Sequence, residues 1–142
     1  MAECLVHLNL SSKPYFPVWR EAFADARDRQ LFSDGPFKMD FWGRMLVWTL
    51  EPPPKFRFSA PRNFQPGDIG APEQVLASFL KTQENVLASL AAAKGLALDR
   101  LKIISPFARQ VRYSVWSSFV VTAAHQRRHL WQAERVADVL LK

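Results

Sequence analysis

One cysteine, Cys4, occurs in 142 residues. An internal disulfide is thereby excluded, and so little thiol suits a reducing compartment such as the cytoplasm. No apolar run approaches the ~18 residues that a membrane-crossing helix needs. No basic stretch followed by an apolar one opens the sequence, so no secretory leader is expected. Internal repeats and low-complexity tracts are lacking as well. The net charge is +6, but no block of like charges is long enough to act as a binding tail. The cations are scattered as Lys55, Arg57 and Arg62, then Arg100 and Lys102, Arg109 and Arg112, and Arg127 and Arg128. That scatter reads as solvated faces and argues against nucleic acid as a partner.

What is present is apolar and aromatic. Hydrophobic residues make up 49% of the chain, with five Trp and eleven Phe. This is enough for a packed core, and the length fits one domain over residues 1–142. Leu5, Leu8, Ser12, Tyr15, Trp19 and Phe23 recur at helical steps, which predicts a helical stretch over 2–30 broken or kinked at Pro14 and Pro17. Ser33-Asp34-Gly35-Pro36 is a stop signal. A short helix over 39–50 follows, ended by Pro52-Pro53-Pro54. Six prolines between 52 and 72, with Phe56, Phe58 and Phe64, predict a long Pro/Phe-rich loop whose aromatics need a surface to lie on. Pro72-Glu73 opens the next helix, with Gly95 as its C-terminal cap. A final helix is expected over about 112–141, and no run of strands is apparent. The class expected is all-α.

Histidine occurs three times, and two of the three stand four residues apart, His125 and His129. On a helix, residues so spaced share one face. At about 100° per residue, both fall in one narrow sector with Ser114, Ser118, Val121 and Thr122. Both rings therefore face inward, and the small residues beside them leave room for a pocket. An interior histidine is ordinarily a hydrogen-bonded core residue, but two at this spacing form a metal-binding pair. His7 is the third candidate, since three histidines with an open position form a known set for a reactive divalent ion. Relative to the stripe of Leu5, Leu8 and Ser12, His7 lies almost opposite, which speaks against its joining the pair. It can still do so, because this segment is apolar all round and so buried on more than one side. Gln126 follows His125 where a zinc protease would carry its glutamate, which excludes that chemistry.

Two segments resemble a known family. Ala2-Glu3-Cys4-Leu5-Val6-His7-Leu8 resembles the AExxxHL segment on the second helix of DinB-like proteins. Ser105-Pro106-Phe107-Ala108-Arg109, with Ala123 to Glu134, resembles their SPFGR and AAHxRRHLxQAE signatures. The resemblance implies an up-up-down-down four-helix bundle and a divalent metal, zinc or nickel, held by His7, His125 and His129. It also implies a thiol-dependent transferase or a hydrolase acting on a small molecule, with a small thiol as partner. The family's first helix has no counterpart ahead of Ala2. The bundle is therefore expected to be N-terminally truncated, with an apolar groove along Leu5–Trp19 and a tendency to homo-oligomerise. No carboxylate lies on the inner face of the last helix, which favours thiol-dependent transfer over hydrolysis. Cys4, Trp116, Phe119 and Trp131 read as packing residues. The competing expectation is a non-catalytic helical interaction module. A weaker one is a regulator of a nucleic-acid process.

Overall fold

A computed structural model describes residues 2–56, 67 and 69–140. Five helices and one small hairpin run in the order α1 (Ala2–Ser12), α2 (Tyr15–Asp28), α3 (Phe41–Leu50), α4 (Pro72–Ala92), β1 (Lys102–Ile104), β2 (Arg112–Ser114) and α5 (Val115–Leu140). The helical expectation holds in its main lines. The first stretch breaks at Lys13-Pro14, whereas Pro17 is accepted in the first turn of α2, where its missing N–H costs nothing. The predicted Pro/Phe-rich loop falls largely on residues outside those described. Of its aromatics, Phe56 does find a surface, edge-on against Trp48 at 5.9 Å.

The hairpin corrects the expectation that strands are lacking. Its strands pair antiparallel, Ile103 opposite Tyr113, and both of these side chains are buried. Three residues per strand are too few for an alternating pattern to stand out in sequence. The hairpin also delays the last helix, which begins at Val115 and not at 112.

The core gathers on α2. Tyr15, Trp19, Phe23 and Ala26, at helical spacing, pack against Leu98, Leu101, Ile103, Tyr113, Val115 and Phe119. Trp19 is fully buried between Tyr15 and Phe119, with ring centroids 5.1 and 4.3 Å away. Leu8, Tyr15 and Trp19 are thus covered and Leu5 is half-buried, so the stripe expected to be exposed along Leu5–Trp19 is largely packed. Exposed apolar residues line α4 instead, at Leu76, Leu80, Leu87 and Leu90.

Two devices fix the ends of helices. Gln30 adopts a left-handed φ of 54°, and the Leu31 N–H donates to Ala26 O at 2.8 Å to close α2. Gly95, with φ of 79°, turns the chain after α4, where the Leu96 N–H donates to Ala93 O at 3.1 Å. The segments beyond the two helices then join, Ala97 N–H donating to Leu31 O and Ser33 N–H to Gly95 O. Asp40 caps α3, accepting from Gly43 N–H at 2.9 Å. The same carboxylate accepts from Ser114 N–H at 2.6 Å and from Lys102 Nζ at 2.7 Å. These bonds outweigh partial burial and hold the Asp40 carboxyl below its ordinary range. One side chain thereby ties α3 to the hairpin and to the start of α5.

α1 packs on α4 with one face and on α5 with another. Leu8, Asn9, Ser11 and Ser12 are all buried along it. This two-sided burial is what brings its histidine to the last helix.

Candidate metal centre

His7 comes from α1, and His125 and His129 from successive turns of α5. The three rings meet despite the unfavourable register of His7, because the side of α1 that carries it faces α5 while another side faces α4. The Nε2 atoms of His7 and His125 lie 3.3 Å apart, and those of His125 and His129 lie 3.0 Å apart. One nitrogen from each ring falls within 4.8 Å of the other two. A tetrahedral ion with bonds of ~2.0–2.1 Å requires its ligand nitrogens ~3.3 Å apart, a spacing that the His7–His125 and His125–His129 pairs come close to.

The tautomer of His125 is set by its neighbour. Ser11 Oγ donates its one hydrogen to Leu8 O at 3.1 Å. Its contact with His125 Nδ1, at 3.4 Å, therefore needs a proton on that nitrogen. The proton on Nδ1 leaves a lone pair on Nε2, aimed into the cluster. Burial pushes the pKa of His125 down from 6.5 to about 3, aided by the charges of His129, His7 and Arg128. Burial likewise lowers His129 to about 4, again with His7 and Arg128 contributing. Both rings are neutral at pH 7, the state in which imidazole ligates metal. One polar atom of the cluster remains unmet: Nδ1 of His129 is buried without a hydrogen-bond partner.

A cavity of about 500 Å³ adjoins the three rings, a size that suits a small molecule. Leu46, Leu50, Phe107, Val111 and Val121 supply apolar wall. Tyr15 and Tyr113 also line it, their hydroxyls 2.6 Å apart. Burial raises both phenols above their ordinary pKa, so both stay protonated. Of the three small residues expected to shape a pocket, only Thr122 lines this one. Ser118 instead accepts from Trp19 Nε1 at 2.7 Å. Ser114 and Ser117 share a hydrogen bond of 2.8 Å beside Asp40. The space that their small size leaves is filled by partners distant in sequence.

Sequence reasoning passed over two wall residues. Glu3, one turn before His7, places a solvent-exposed carboxylate on the cavity wall. Arg128, read from sequence as part of a scattered basic surface, is buried and lines the cavity. Its position three residues after His125 was the available signal, since i and i+3 share a helix face. Cys4 is a half-buried free thiol on the wall, outside the histidine cluster. Phe119 packs in the core, as expected. Comparison with family models, curated proteins and solved structures finds no match for this chain.

Proposed function

We propose that His7, His125 and His129 hold a divalent cation, zinc or nickel, and that this centre acts on a small molecule seated in the adjoining cavity. The reaction class that fits is a thiol-dependent transfer, with hydrolysis as the alternative. The observation that carries the reading is the convergence of three imidazole nitrogens from opposite ends of the chain, two of their rings held neutral by burial. The resemblance of the Ala2–Leu8 and Ala123–Glu134 segments to DinB-like proteins supports the same ligand set.

A divalent cation in this position would polarise a coordinated water or thiol and lower its pKa. The chain's own residues do the rest. Ser11 holds the His125 ring with Nε2 free. The phenols of Tyr15 and Tyr113 keep a protonated pair at the wall, suited to orienting a polar group of the ligand. Thr122 spends its hydrogen on Ser118 O at 2.8 Å and so offers the cavity only lone pairs. The apolar side chains give the cavity a wall on which a ligand's apolar body can replace water. Hydrolysis needs a base, and Glu3 is the carboxylate on the wall. Thiol transfer does not need one, so Glu3→Gln separates the two reactions once an activity is in hand.

The first test is elemental analysis of untagged protein, wild type beside His125→Ala. The reading expects close to one ion per wild-type chain and loss in the variant. A wild type that stays metal-free after incubation with zinc and with nickel sinks it.

A second reading, a helical interaction module that pairs with another copy of itself, draws on the exposed leucines of α4. Leu76, Leu80, Leu87 and Leu90 form one stripe at steps of four, seven and three. Sedimentation of wild type beside Leu80→Lys/Leu87→Lys tests it: a dimer abolished by the lysines supports self-association, and a wild-type monomer at all concentrations rejects it.

A further inference from the structure

Arg128 is 7% exposed, and it is the one buried cation among the described residues. Its guanidinium donates from Nη1 to Thr49 O at 3.1 Å and from Nη2 to Phe56 O at 3.0 Å. Both acceptors are neutral carbonyls. Its neighbour Arg127, exposed on the outer side, takes the carboxylate of Glu51. No carboxylate among the described residues pairs with Arg128. A buried charge without a counter-charge is costly, and arginine has five N–H donors, of which these bonds occupy two. Arg128 lines the same cavity as the three histidines, and an imidazole, neutral or protonated, offers no negative charge. Glu3 on the wall is open to solvent and in no ion pair among the described residues. The surrounding wall of Leu46, Leu50, Phe107, Val111 and Val121 is apolar.

We infer that the cavity takes a small carboxylate with an apolar body, its anionic end against Arg128 and its body along the leucine, valine and phenylalanine wall. The inference rests on the reading of this cavity as the substrate site, but not on the histidines holding metal. A planar carboxylate matches the arginine fork and supplies the missing counter-charge. The apolar body replaces water along a wall that binds it poorly. Arg128 also ties the end of α3 to α5 through Thr49 O, so a charged ligand there would brace the cavity's rim as it binds.

The test uses the full chain and two matched probes, decanoate and decanol, titrated calorimetrically below their aggregation limits. Wild type should bind decanoate at least about tenfold more tightly than decanol. Arg128→Gln should lose about that factor for decanoate and keep its affinity for decanol, with Arg128→Lys in between. Each titration is run in chelator and again with zinc. Decanoate binding that survives in chelator and falls in Arg128→Gln supports the inference even if no ion binds. Binding that needs zinc, is lost in His125→Leu and persists in Arg128→Gln overturns it, because the carboxylate is then a metal ligand. Equal affinity of wild type for acid and alcohol, or no binding of decanoate, also overturns it. Those wild-type comparisons stand even if Arg128→Gln fails to fold.

Discussion

Acidification from pH 7.5 to about pH 5 should cost the metal-free protein about 2 kcal/mol of stability through His125 alone. His125 titrates at about 3 when folded, against an ordinary 6.5. Between those values the unfolded chain binds a proton that the folded one refuses, so stability rises with pH across the window. The contribution is full above the unfolded value and drains away as pH falls toward the folded one. At pH 5 the gap of about 1.5 pH units below 6.5, at ~1.36 kcal/mol per unit, gives the figure quoted. His129, shifted in the same direction and more open to solvent, adds a smaller amount. Asp40 and Glu51 also have lowered values, but from ordinary ones of 3.8 and 4.5, so most of their loss comes below this window. The assay is urea unfolding followed by tryptophan fluorescence, in chelator, at intervals from pH 7.5 to 5. His125→Leu removes the titrating ring and should flatten the acid limb by about 2 kcal/mol relative to wild type. An equal slope in the two proteins would refute the buried, neutral state assigned to this ring.

Other substitutions probe the frame around the site. A Cβ added at Gly43 would lie closer than 3.0 Å to the Ser117 side chain, so Gly43→Ala should cost about 3 kcal/mol in denaturant unfolding by prising α3 from α5. Asp40→Ala removes the cap of α3 and the acceptor for Ser114 N–H and Lys102, with an expected loss of about 2–3 kcal/mol. Trp19→Phe keeps most of the ring stack but deletes the bond to Ser118, and should lower stability by about 1–2 kcal/mol. Arg127→Ala, which breaks an exposed pair with Glu51, should change stability by less than about 1 kcal/mol. A large loss there would contradict the assignment of that pair to the solvated surface.

The helices were legible in sequence because apolar spacing and the proline and glycine stops act locally. Trp19 and Phe23 are buried as their stripe predicted. His125 and His129 face one centre because four-residue spacing on a long helix leaves little choice. His7 was ambiguous for a physical reason: α1 is buried on two sides, and periodicity cannot say which side meets which neighbour. The roles of Ser114, Ser117 and Ser118 were not legible either. Small polar residues on an inward face look like open space until Trp19 and Asp40, 99 and 77 residues from Ser118 and Ser117, are seen to fill it. Arg128 was hidden by Arg127 beside it, since adjacent residues on a helix point to different surroundings, and only the wheel separates them.

His7 and His125 stand 118 residues apart along the chain yet touch. An ion shared between them would be a reversible cross-link between the first helix and the last. Closing so long a loop removes about 5 kcal/mol worth of freedom from the unfolded chain by the same reckoning used for disulfides. The chain makes no such link from its single cysteine. Its first helix, already packed on α4 and α5, would then be held more or less firmly according to how much free metal surrounds it, and amide exchange in α1 would report that availability.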